Sequence, residues 1–218
     1  MGYMNLGIKT VGLGSGVSMG HLGYSHYGME DIALLRSIPN ITIISPADCG
    51  ALVKTIYAAM EHNGPIYIRL TGEPGMPIVY SDDCRLEIGK ANVIKDSGDI
   101  MIVATGSMVA ESLNAVEELS NKGIECRVID MHTLKPLDTD VIYERLSKVK
   151  YIITVEEHSI YGGLGSAVAE CIAESGTSVK LVRMGLNDRY YKAGSYEYMK
   201  KENGICSDDI VNTIEGLI

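Results

Sequence analysis

The segment Asp99–Asp130, DIMIVATGSMVAESLNAVEELSNKGIECRVID, decides the fold. Asp99–Thr105 is an apolar run of strand length. Met108–Lys122 then repeats apolar residues at helical spacing and stops at Gly123, a residue suited to the left-handed turn that ends helices. Glu125–Asp130 returns to strand character. Strand, helix and strand in this order make a parallel sheet covered by helices.

The pattern continues toward the C-terminus with a helix over Asp138–Lys148, a strand over Tyr151–Val155 and a helix over Gly165–Ser175. A strand over Val179–Arg183 and helices over Ser195–Lys201 and Asp208–Gly216 follow. Together these form a complete doubly wound domain of about 125 residues, near the usual domain size. In the other direction, Gly72–Cys84 holds Pro74, Pro77, two glycines and two adjacent aspartates, and reads as an exposed linker. Before it come a strand at Ile8–Gly12, a glycine-rich loop to Gly28, a helix at Glu30–Ser37 and a strand at Ile41–Ser45 that Pro46 breaks. Asp48 caps a helix over Gly50–Glu61, whose Leu52, Val53, Ile56 and Met60 share one face, and Ile66–Leu70 is a further strand. So small a sheet should leave an uncovered edge. The expected organisation is α/β: a truncated parallel-sheet unit over 1–75, a linker over 76–92, and the doubly wound domain over 93–218.

Composition sets limits on function. Across 218 residues, 46% are hydrophobic and 22% charged, with no apolar run of about eighteen, so no transmembrane helix is expected. MGYMNLGIKTVGLG shows no basic region before a long apolar stretch, so no signal peptide is expected either. A formal charge of −9 argues against nucleic acid and anionic membranes as partners, since both require a basic face. The five cysteines are dispersed, with no C-x-x-C and no Cys/His ligand spacing. That pattern predicts no metal site and a reducing, cytoplasmic setting, with most thiols simply buried.

Several short motifs invite chemistry. Gly12, Gly14 and Gly16 follow a strand, but Val17 and Met19 stand where a dinucleotide loop needs its third glycine. Glu156-Glu157-His158 sits at the carboxyl end of a strand, where open α/β sheets place ligands. Its adjacent carboxylates point to opposite sides, which favours a structural role. Gly162–Gly165 opens a helix, offering either free amides for an anion or close packing at a tight turn. Asp138 is placed to cap its helix, and Arg36 either pairs with an acid beneath the loop or is a solvated charge at a helix end.

Two stretches carry a family resemblance. Gly12–Asp48 resembles the pyrimidine-binding domain of transketolases through Gly23-Tyr24-Ser25-His26, Leu35-Arg36-Ser37-Ile38-Pro39-Asn40 and Ser45-Pro46-Ala47-Asp48. The second stretch is similar to the transketolase C-terminal domain, shared with the β-subunits of 2-oxoacid dehydrogenases. Its marks are Ala104-Thr105-Gly106-Ser107, Lys135-Pro136-Leu137-Asp138, and Val155-Glu156-Glu157-His158 leading to Gly162-Gly163-Leu164-Gly165. The resemblance implies a truncated pyrimidine-binding-type unit followed by a transketolase C-terminal-type domain. It also implies a thiamine-diphosphate enzyme that moves two-carbon ketol units between small sugars.

Similar enzymes bind the diphosphate through magnesium on a Gly-Asp-Gly…Asn-Asn motif, and a glutamate upstream of the region matched here protonates the aminopyrimidine. This sequence has neither Gly-Asp-Gly nor an Asn-Asn pair. The resemblance therefore implies a partner, either a missing pyrophosphate-binding domain or an N-terminal subunit, in a homo-oligomer such as a dimer or in a heterotetramer. The chain alone is expected neither to hold thiamine diphosphate and magnesium tightly nor to turn over. By the same resemblance His26 faces the substrate as a catalytic and substrate-binding residue. The family's histidine near Gly14, aspartate near Leu22 and phosphate-binding arginine near Gly72 are absent. His21 and Arg69 are the candidate substrate-binding replacements. Rival readings are a 2-oxoacid dehydrogenase β-subunit, a deoxyxylulose-phosphate synthase, or a non-catalytic dimerisation module.

Overall fold

A computed structural model describes residues 1–80 and 85–218. Cys84 and the aspartate pair of the expected linker lie outside the described residues. Three parallel strands, β1 (Lys9–Leu13), β2 (Thr42–Ile44) and β3 (Ile66–Leu70), form the first sheet, with helices α1 (Asp31–Arg36) and α2 (Cys49–Glu61). The second sheet contains β4 (Asn92–Lys95), β5 (Ile100–Ala104), β6 (Cys126–Asp130), β8 (Tyr151–Ser159) and β9 (Lys180–Leu186) in the order β4-β6-β5-β8-β9. All its pairings are parallel except the antiparallel β4–β6 edge. Helices α3 (Met108–Asn121), α4 (Thr139–Leu146), α5 (Leu164–Ser175), α6 (Tyr196–Glu202) and α7 (Ser207–Glu215) complete the second unit. Among the described residues no helix is long and apolar enough to cross a membrane.

A three-residue strand, β7 (Thr133–Lys135), leaves the second unit and pairs antiparallel with β2, giving the first sheet the order β1-β3-β2-β7. Three residues are too few to show a period, which is why the sequence did not reveal β7. The open edge of that sheet is β1, whose Val11 and Leu13 are exposed. The two units also share their cores. Val17, Met29 and Ala47 pack in one cluster with Ile102, Val155 and Met199, and Ile32, Ile41 and Ile43 in another with Met101, Val103 and Leu164. Burial of each large aliphatic side chain contributes about 1.5–3 kcal/mol, so this seam contributes strongly to cohesion.

Two local expectations change. Asp48 does cap α2, accepting the Ala51 amide at 2.7 Å, and its other oxygen takes the Val79 and Tyr80 amides. The buried face of α2, however, is Ala51, Thr55 and Ala59, while Val53, Ile56 and Met60 are exposed. Small residues let the helix lie close to the sheet, and the larger apolar side chains are left outside. Asp138 does not cap α4: its Oδ2 accepts the Ala91 amide at 2.9 Å, tying the start of the second unit to that turn. Of the four described cysteines, Cys126 and Cys171 are buried, Cys206 is half-buried and Cys49 is exposed.

Candidate active site

The glycine-rich segment after β1 is a loop closed at its base. Gly16 and Gly28 exchange backbone hydrogen bonds of 2.8 and 2.9 Å, and the Gly14 and Ser15 amides both donate to the Leu70 carbonyl at the end of β3. Gly16 adopts φ +61°, a left-handed conformation that glycine reaches without strain. Two short 3₁₀ turns, Gly20–Leu22 and Tyr24–His26, form the far side of the loop. They rest on the second unit: the Gly194 amide donates to Gly20 O at 3.0 Å, and the Tyr27 hydroxyl to Tyr191 O at 3.2 Å.

His21 and His26 both ride on this loop, and both side chains are exposed. His26 Nδ1 is 3.0 Å from Ser25 Oγ, and its Nε2 has no hydrogen-bond partner among the described residues. An imidazole held at one nitrogen and open at the other can give or take a proton at a substrate oxygen.

Arg69 is elsewhere. Its side chain is only 3% exposed, with Nε 2.8 Å from Asp31 Oδ2 and Nη2 donating to Gly28 O and Glu157 O at 3.1 and 2.9 Å. Successive strand residues face opposite sides, and position 69 faces inward. Its Nε and Nη2 are committed to Asp31 and to the loop base, which argues against the expected substrate-binding role. Burial works against the Asp31 charge, but the Arg69 guanidinium and hydrogen bonds from Arg69 and Tyr67 overcome it and hold that carboxyl below the ordinary value.

β8 runs on past Val155 and carries the Glu156-Glu157-His158 motif into the interior, where all three are buried. The two carboxylates do part to opposite sides. Glu156 accepts the Leu164 and Gly165 amides at 2.7 Å each, so the amides at the start of α5 are already satisfied by an internal carboxyl group. Glu157 Oε1 accepts the Val17 amide at 2.8 Å, and Oε2 accepts the Ser107 and Tyr196 hydroxyls at 2.7 Å each. Burial pushes Glu156 up to about 7 against the pull of those two amides, and raises Glu157 against the Tyr196 and Ser107 bonds. His158 donates from Nδ1 to Ser159 O at 2.7 Å and accepts the Ala33 amide on Nε2. Burial and then the Arg69 charge drive it down to about 4. Arg36 does pair with an acid, Glu170 at 2.6 Å, and also donates to the Gly162 carbonyl.

The motif was visible in the sequence, but its partners were not. Ser107 and Tyr196 lie 50 and 39 residues from Glu157, and nothing in local spacing brings them together. A cavity of about 340 Å³ between the end of β3 and α2, lined by Leu13, Asp48, Cys49, Thr71, Gly72 and Met76 among others, includes neither loop histidine.

Among the described residues no group of three or more His, Cys, Asp or Glu side chains is placed to hold a metal ion. Together with the missing Gly-Asp-Gly and Asn-Asn pairs, this donor set does not fit a diphosphate with its magnesium.

Residues 1–73 match the family model of the transketolase pyrimidine-binding domain, and residues 89–210 that of the transketolase C-terminal domain. Fold and site thus define a two-unit α/β protein of the pyrimidine-binding and C-terminal type. The chain is 38% identical over 209 residues to the 6-deoxy-6-sulfo-D-fructose transketolase subunit SqwH of a Clostridium species, covering 96% of this chain and 64% of that subunit. It is 39% identical over 211 residues to an apulose-4-phosphate transketolase subunit of Actinobacillus succinogenes, covering 96% and 68%. A solved split gene transketolase, described as an inactive beta4 tetramer, superposes with a TM-score of 0.89 at 36% identity, over 98% of this chain and 68% of that one. The chain belongs to the transketolase family. It spans about two thirds of the length of these relatives.

Proposed function

We propose that this chain is the C-terminal component of a thiamine-diphosphate-dependent transferase of two-carbon ketol units, with His26 in the donor-sugar site. One observation carries the reading: an exposed imidazole, open at Nε2, on a loop whose base and tip are both fixed to the rest of the chain. A donor aimed at an oxygen on which charge develops lowers the barrier, and a fixed loop supplies the aim in advance. His21, five residues earlier on the same loop, offers a second donor to a sugar hydroxyl in place of the absent aspartate.

The cofactor, when bound in the complete enzyme, supplies the carbanion chemistry. This chain contributes the substrate side of the pocket, and a partner polypeptide contributes the diphosphate and magnesium ligands. Two of the relatives above are named as subunits and a third as a split gene product, which supports a separate partner in an oligomer. Free cysteines at four described positions support a reducing cytoplasmic setting.

The test is reconstitution with the polypeptide that carries the pyrophosphate-binding domain, comparing ketose phosphates with 2-oxoacids as donors. Ketol transfer from the sugar is expected, and turnover with 2-oxoacids alone would replace the reading by the dehydrogenase β-subunit. Calorimetry of this chain alone with thiamine diphosphate and magnesium should show no micromolar binding. Such binding would refute the need for a partner.

A further inference from the structure

We propose that Glu157, on β8 of the second unit, is a positioning residue for the histidine loop of the first. The inference rests on the reading of His26 given above and extends it to a group that touches neither histidine. The contacts are specific. Oε1 accepts the amide of Val17, the first residue inside the Gly16–Gly28 closure. Oε2 takes two hydroxyl donors, Ser107 just before α3 and Tyr196 at the start of α6, each at 2.7 Å. The carboxylate therefore gathers three elements onto the root of the loop.

Two further facts make Glu157 more than one buried acid among several. A Cβ on Gly16 would stand 2.4 Å from Glu157 Cγ, so the loop backbone lies directly against this side chain. The Glu157 carbonyl also receives Arg69 Nη2, which donates as well to Gly28 O at the other side of the closure. One residue thus holds the incoming limb by its side chain and the outgoing limb through Arg69. A loop tied at both limbs carries its imidazoles in one place before substrate arrives.

The chemistry predicts how substitutions rank. Alanine leaves the Val17 amide and both hydroxyls without their acceptor in a buried site. Glutamine keeps one oxygen for the Val17 amide, and its NH₂ can donate to hydroxyls that turn to accept. Glu157→Gln is therefore the conservative rescue.

The experiment is hydrogen exchange on the full chain, following residues 16–28 with the β5 and β8 amides as internal controls. In Glu157→Ala the loop amides should exchange about tenfold faster with the controls unchanged, and Glu157→Gln should restore most of the protection. Should Glu157→Ala fail to fold, the double variant Ser107→Ala, Tyr196→Phe removes both Oε2 donors and should give the same loop-confined loss. In the reconstituted enzyme the Ala variant should lose about tenfold in kcat with a smaller change in KM, again rescued by Gln. Unchanged loop exchange, or a loss shared equally by the control strands, overturns the role of Glu157. Full turnover in His26→Ala overturns instead the reading of the site on which the proposal rests, and the two failures are separately visible.

Discussion

Asp31 Oδ2 receives two donors at 2.8 Å, the Nε of Arg69 and the hydroxyl of Tyr67, and this shared acceptor sits directly behind the closure of the histidine loop. Arg69 is fully enclosed there, so its charge depends on Asp31. Asp31→Ala should destabilise the chain by about 3–5 kcal/mol, the usual cost of leaving a buried charge unpaired. Urea unfolding followed by far-UV circular dichroism measures it, and a loss below about 1 kcal/mol would mean Arg69 finds another partner.

His26→Ala should separate function from stability. The side chain is exposed and bonds only its neighbour Ser25, so unfolding free energy should stay within about 0.5 kcal/mol of the parent. Turnover of the reconstituted enzyme should fall about a hundred- to ten-thousand-fold, the range for a lost general acid or base.

Gly163 tests the internal cap of α5. A Cβ there would stand 2.0 Å from Glu156 Oε2 and 2.6 Å from His158 Nδ1. Both neighbours are buried and hydrogen-bonded, so Gly163→Ala should cost about 1–3 kcal/mol in a denaturation series. An unchanged midpoint would show that the β8 carboxylate has room to move.

The buried titratable groups predict an unusual pH profile. Burial, aided at His158 by Arg69, lowers His132 and His158 to about 4, so both stay neutral in the native state. Below about pH 6.5 the unfolded chain protonates them first, and stability falls on acidification. Asp130 and Glu156, which burial raises to about 7, act in the opposite sense. The native state protonates them while the unfolded chain keeps them ionised down to about pH 4, so stability rises on acidification. The two pairs partly offset one another between about pH 6.5 and 4, while Glu157, whose carboxyl burial also raises, adds to the carboxyl side, so stability should fall as pH rises through about 7. His158→Gln removes one proton from this balance. Relative to the parent it should gain about 1.4 kcal/mol for each pH unit lowered within that window. Parallel profiles for the two proteins would show that His158 titrates normally.

Along the chain, periodicity and punctuation located every long element: α3 against its closing Gly123, α2 against its Asp48 cap, and the apolar runs that became β5, β8 and β9. These depend on residues within a turn or two of one another, and local patterns report local physics. Short β7 carried no period, and the outward turn of Val53, Ile56 and Met60 on α2 depended on which face met the sheet. The motif around His26 was legible because its residues are contiguous.

Residue order alone established the α/β class, the family resemblance and the glycine-rich loop that carries the two histidines. Only the folded chain revealed that Arg69 turns inward to Asp31, that β7 crosses between sheets, and that Glu157 meets Val17 from 140 residues away. The physical reason is burial. A carboxylate or guanidinium removed from water must find partners wherever the packed chain brings them, and that distance in sequence leaves no trace in spacing.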